Sequence, residues 1–188
     1  VVGRFGIPAP PGLPFPNAPY LEVYPFQALA QVSAGVGHAI VIPDSVDGII
    51  RSVPLFIQYY GKLYPTLGLA LAMNELDVRN NPISFEATDE GTIVHLGNLE
   101  IPTGPEGDMH INFIGTTDVI PSVSFYDVLE NGLKQDEKFL SQFKGKVCII
   151  GPTTRTVGDY YAMPFSEQTP GYIAHANVYD MIMTNNFI

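Results

Sequence analysis

Proline and glycine punctuation governs what this chain can fold into. Pro8, Pro10, Pro11, Pro14, Pro16, Pro19 and Pro25 crowd the stretch from Gly6 to Pro25. Each removes a backbone donor and fixes a dihedral, so this stretch is expected as an extended surface loop. Further along, glycines and prolines cut the chain into short segments. The longest apolar runs, such as Leu67 to Met73 and Val147 to Ile150, fall well short of the roughly 20 residues that a membrane-spanning helix needs.

Between the breaks, hydrophobic periodicity assigns the elements. Phe26 to Val32 reads as a short helix stopped by Gly35 and Gly37. Gly37 to Ile42 and Ile49 to Tyr59, rich in Ile, Val, Phe and Tyr, read as strands around a turn at Pro43 to Gly48. Pro65, suited to the first turn of a helix, precedes Thr66 to Met73, which is apolar on every face and so is expected to be buried on more than one side. A β section follows: Ile83 to Ala87, a turn at Asp89-Glu90-Gly91, Thr92 to Leu96, Leu99 to Ile101, and Met109 to Ile114, where apolar and polar residues alternate. Ser124 to Leu129, Glu137 to Phe143 and Ile173 to Thr184 read as helices. The continuous run Val147 to Ile150 has the pattern of a strand covered on both faces of a parallel sheet. The expected class is mixed α/β, a three-layer-like sheet covered by helices with an antiparallel section.

With 188 residues, 46% hydrophobic and 15% charged, the chain can bury a sizeable core as one domain, residues 1–188. Nine Lys and Arg against nineteen Asp and Glu give a net charge of -10, which leaves no basic surface for phosphates and argues against a nucleic-acid partner. The single cysteine, Cys148, cannot form an internal disulfide; inside an apolar run it is expected to be buried and inert.

Three stretches, in order, resemble the CHASE2 family of extracellular sensor modules. The first is Gly37-His38 through Asp44 and Asp47-Gly48 to Arg51 and Pro54-Leu55, continued by Tyr64-Pro65-Thr66-Leu67-Gly68-Leu69-Ala70, with Thr66 and Gly68 where the family favours Ser and Ala. The second is Ile111-Asn112-Phe113-Ile114-Gly115, then Ser124 to Leu129. The third is Phe143 to Gly151, then Asp159, Met163-Pro164-Phe165 and Pro170 to Asn177. The resemblance implies a domain outside the cytoplasmic membrane of a bacterial receptor whose inner part is an adenylate cyclase, a histidine kinase or a serine/threonine kinase. It also implies an unidentified small-molecule ligand, a homodimer, and membrane contact only through flanking transmembrane helices absent from this sequence. Such domains begin with a further α/β segment that this chain is expected to lack, so Val1-Val2-Gly3 reads as a strand from mid-domain, and Ile188 falls about where the next transmembrane helix would start.

Site residues follow from the same stretches. The loop after Val147 to Ile150, with Thr153, Thr154, Arg155 and Asp159, lies at a strand's carboxyl end, where open α/β sheets place ligands. Arg51 can hold a carboxylate ligand or pair internally with an acid such as Asp44 or Asp159. His175, near the start of the last helix, can sense pH or pack within the fold. Asp44, Asp47 and Gly48 could hold a cation, but Pro, Asp, Ser and Gly there more simply make a turn. The candidate ligand-binding set is therefore Arg51, Thr153, Thr154, Arg155, Asp159 and His175, with no metal, no cofactor and no catalytic group. No Gly-x-Ser-x-Gly elbow or phosphate-binding glycine loop is present. Two rivals remain: a periplasmic hydrolase with a site around Thr153–Asp159 and His175, and a dimerisation module with no ligand.

Overall fold

The computed structural model describes residues 2–18, 25–77, 82–115, 119–154, 156 and 159–188. Its class is mixed α/β, and among the described residues the strands are divided among four small antiparallel sheets. The first sheet has the order β1 (Ile7–Pro8), β4 (Lys62–Pro65), β3 (Phe56–Tyr59). Its β3–β4 hairpin closes on Tyr60 and Gly61, both in the left-handed region at φ 46 and 69. Two positive φ values match a primed hairpin turn to the strands' twist. The second sheet, β5 (Ile83–Ala87), β6 (Thr92–Leu96) and β7 (Leu99–Thr103), is a meander. β2 (Ser52–Pro54) pairs with β8 (Asp108–His110), and β9 (Tyr160–Met163) with β10 (Ser166–Pro170).

Leu55, Phe56, Leu63, Leu69, Leu96, Ile101, Met109, Ile173, Met181 and Ile182 are almost wholly buried and form one core with the partners they touch. Burying each such side chain stabilises the fold by roughly 1.5–3 kcal/mol. The short helix expected after Pro25 forms as α1 (Gln27–Val32), and in the core two further helices meet: α2 (Leu67–Glu75) and α5 (Tyr172–Thr184). Along α5 the buried residues Ile173, Ala174, Asn177, Val178, Met181 and Ile182 recur at helical spacing and make its inner stripe. Gly68 sets how closely the helices approach. A Cβ there would stand 2.6 Å from the His175 carbonyl and from a Val178 methyl. α5 ends with Asn185 left-handed (φ 53, ψ 42), and Asn186 N–H donates to the Met181 carbonyl, which ties off the last turn.

Several expectations change. The proline-rich start is not a surface loop throughout: β1 pairs with β4, Asn17 bridges Gln58, and Phe15 is buried edge-on against Phe56 and Phe85 at 5.1 and 5.8 Å. Proline forbids a central strand but allows an edge strap, and an aromatic ring in the strap finds the core. Val2–Phe5 is a turn of 3-10 helix, not a strand. The expected strand from Ile49 to Tyr59 breaks at Leu55 into β2 and β3, which join different sheets. Gly37 to Ile42 forms no strand and, among the described residues, bridges only at His38.

The largest change concerns residues 119–154, where no described residue is buried. They form α3 (Phe125–Leu133), the short α4 (Glu137–Leu140), a 3-10 turn Ser141–Phe143 and an extended stretch. Val147 to Ile150 is not a strand; Ile150 is 78% exposed and Cys148 is exposed, not buried. A two-face strand needs hydrogen-bonded neighbours and a layer on each side. Among the described residues no backbone group of 147–150 finds a backbone partner.

Candidate functional site

The polar groups sequence reasoning singled out fall into two places, one buried and one at the surface. The buried one begins at Gly37, whose lack of a side chain lets the chain lie on α2: a Cβ there would be 2.7 Å from the Leu67 Cα. His38 follows and bridges Thr66, its N–H donating to the Pro65 carbonyl at 2.8 Å while its carbonyl accepts from Leu67 N–H at 2.8 Å. The imidazole is buried. Its Nδ1 accepts from Ile40 N–H at 3.2 Å; among the described residues its Nε2 has no partner in hydrogen-bonding geometry, although the Pro54 carbonyl lies close enough to favour its protonated form. From the other side α5 brings His175, whose Nδ1 is 3.2 Å from the Thr66 hydroxyl.

Burial, then the neighbouring His175, pushes His38 down to about 3, against the Pro54 carbonyl. Burial also lowers His175, opposed by the Ala39 carbonyl and the charge of Asp159. Both rings are therefore neutral near pH 7. Asp159 stands at the edge of this cluster: its carbonyl accepts from Gly171 N–H at 3.0 Å, just before α5. Its carboxylate and burial together raise the Tyr161 phenol, burial having the larger effect.

The arrangement of a hydroxyl, an imidazole and a nearby carboxylate has the parts of a nucleophile and its base. Thr66 has 0% exposed surface, however, so no substrate carbonyl can reach its oxygen. This disposes the cluster towards structure and proton binding rather than acyl transfer.

The surface place is the turn before β2. Asp44 Oδ1 accepts from Val46 N–H at 2.8 Å, and Asp47 Oδ1 from Ile49 N–H at 2.9 Å, so both carboxylates brace the turn that Gly48 (φ 72) completes. Arg51 forks onto Asp47 at 3.0 and 2.7 Å; its partner is thus Asp47, not Asp44 or Asp159. The guanidinium, then the Ile49 amide, hold the Asp47 carboxyl down at about 2. Beside this pair a groove of about 570 Å³ runs between the turn and the β9–β10 hairpin, lined by Asp47, Ile49, Met163, Phe165 and Glu167. Ile50 N–H donates to the Ala162 carbonyl at 2.9 Å and ties the two walls.

Of the expected ligand set, the structure brings Asp159 and His175 together and leaves Arg51 at the groove, paired with Asp47. Thr153 and Thr154 are exposed; the Tyr160 hydroxyl donates to the Thr153 carbonyl at 2.7 Å, and the Thr154 hydroxyl oxygen accepts from Thr156 at 3.3 Å. Arg155 lies outside the described residues. Among the described residues no group of three His, Cys, Asp or Glu is placed to hold a metal ion.

The strip from Gly37 to His175 that builds both places is also the strip that carries a family signature: a family model for the CHASE2 domain matches residues 8–188. The chain belongs to the CHASE2 domain family. CHASE2 domains are extracellular sensory modules, not catalysts. No curated protein and no solved structure matches the chain. No helix among the described residues of this CHASE2 domain is long and apolar enough to cross a membrane. Sequence reasoning missed His38 and Thr66 as partners of His175. Thr66 and His175 are 109 residues apart, and no spacing rule spans that distance. The one available signal was that all three fall inside the family stretches.

Proposed function

We propose that this chain is the signal-receiving domain of a transmembrane receptor, held outside the cytoplasmic membrane, with an adenylate cyclase as its output and a histidine kinase as the alternative. The observation that carries the reading is the CHASE2 match across 8–188. A small ligand acts by preferring one of two conformations, and α5 is the element suited to transmit the choice. The ligand region is the loop Thr153 to Asp159. Through the Asp159 carbonyl bonded to Gly171 N–H, a pull on this loop acts directly on the start of α5. Two copies working as a homodimer fit a receptor of this kind. A further α/β segment of the domain covers Val147 to Ile150; the uncovered apolar run supports this.

The test is a thermal-shift screen of the purified chain against carboxylates, sugars, nucleotides and metal ions at pH 7.5. Ligand at about 100 times its dissociation constant adds roughly 2.7 kcal/mol to the folded state. A stabilising compound whose effect disappears in Asp159→Ala but survives in Glu86→Ala supports the ligand region. A compound whose effect survives Asp159→Ala places the site elsewhere.

A further inference from the structure

The buried histidines sit where three separate elements of the fold meet. Gly37 to Ile40 belongs to no sheet and is held to the start of α2 by the two backbone bonds of His38. Its carbonyl at Ala39 faces His175 on α5, and Thr66 at the start of α2 bonds the same ring. Three elements thus meet at two imidazoles and one hydroxyl.

We propose that His38, Thr66 and His175 form an acid-sensitive latch that closes Gly37–Ile40 onto α2 and the first turns of α5, so that protons themselves are a stimulus for this domain. The inference rests on the sensory reading for its purpose but not for its chemistry. The groups facing the latch are few. His38 meets His175, Ile40 N–H and the Pro54 carbonyl; His175 meets Thr66, the Ala39 carbonyl and the carboxylate of Asp159. One turn further along α5, Glu75 of α2 and Asp180 act on Tyr179 instead. Among the described residues, no carboxylate acts on His38.

The balance of protons gives the direction. A released histidine takes up a proton near its ordinary 6.5, whereas in the closed latch burial holds His38 at about 3 and lowers His175 as well. Opening is therefore coupled to proton uptake, and the closed state loses ground as pH falls from 6.5 towards 3. A charge on either ring in the closed state would be desolvated, and on His38 it would also lie unpaired beside His175. Segment 37–40 is the cheap part to release, because most of it is only half-buried or exposed while α5 keeps its apolar stripe.

The experiment is amide exchange on the full chain, followed by NMR from pH 7.5 to 4.0 and expressed as protection factors. His38 and Leu67 amides are expected to lose protection below pH 6.5 while Val94 and Ile101 of the meander hold theirs. The pH slope should report proton uptake on opening, up to about one proton of it from His38, and should shrink in His38→Gln and in His175→Gln and fall to about none in the double variant. His95→Gln and His110→Gln serve as controls and should leave the slope unchanged. If His175→Gln does not fold, His38→Gln and Thr66→Val carry the test. The latch is overturned if the slope in His38→Gln is as steep as in the unaltered chain, if both imidazoles titrate near 6.5 without loss of protection, or if the meander amides exchange at the same pH. Any of these leaves the ligand reading standing, since its screen is read at pH 7.5.

Discussion

Helix α2 and helix α3 are each nine residues long, and they end up in opposite surroundings. α2 is apolar on every face as far as Met73 and buries Gly68, Leu69 and Ala72, packing against α5. α3 has a sharply two-sided pattern, yet buries nothing: Tyr126 is 69% and Leu133 86% exposed. The contrast extends to the chain on either side. Residues 119–154 carry Asp127, Glu130, Asp136 and Glu137 against Lys134, Lys138, Lys144 and Lys146, and so are neutral as a set, while the rest of the chain holds the net charge of -10. An apolar stripe is therefore a request for a neighbour, and only the tertiary structure says whether the neighbour is there.

The strongest way to break this comparison is to empty the core. Phe56→Ala removes the ring shared by Phe15 and Phe85 and should cost about 3–5 kcal/mol in urea unfolding. Leu129→Ala on α3 should stay within about 0.5 kcal/mol. Equal losses at the two positions would mean that α3 is buried after all.

Acid gives the next largest effect. With His38 held at about 3, its contribution to stability is complete above the unfolded value of 6.5 and falls as pH drops towards 3. At pH 5 that single group should already cost about 2 kcal/mol relative to pH 7.5. A flat denaturation midpoint over this range would show that the ring is solvated. Asp47, held low by Arg51, acts only at more acidic pH and so leaves the window to the histidines.

Glycine substitutions sharpen the comparison at the backbone. Gly68→Ala drives a methyl against the His175 carbonyl and should destabilise by about 1–3 kcal/mol. Gly132→Ala in α3 meets nothing within 4 Å and should stabilise by about 0.5–1 kcal/mol. Opposite signs in thermal unfolding are the expected result; the same sign for both would dissolve the distinction. The smallest effect leaves stability untouched: exposed Cys148 should react fully with a maleimide under native conditions. A thiol that reacts only in denaturant would show that Val147 to Ile150 is covered in this chain.

Local chemistry was legible from the residues alone wherever neighbours in the chain decide the outcome. The hairpin strands from Ile83 to Thr103, the buried helix after Pro65, the Asp44–Gly48 turn and the last helix follow from alternation, helical spacing and turn residues, which act over a few positions. The family stretches were readable for the same reason, being short strings in order. What lay beyond reach were the facts set by distant partners. Phe15 enters the core because the free edge of β3 holds the strap at Pro16 and Ala18 through Gln58, and His38 meets His175 because α2 and α5 close on Gly68. Val147 to Ile150 shows the converse, since its side chains specify burial but burial is a property of pairs. Hydrophobicity and periodicity belong to a residue and its neighbours in sequence; desolvation, and with it the charge state of every buried group, depends on which surfaces the finished fold brings together.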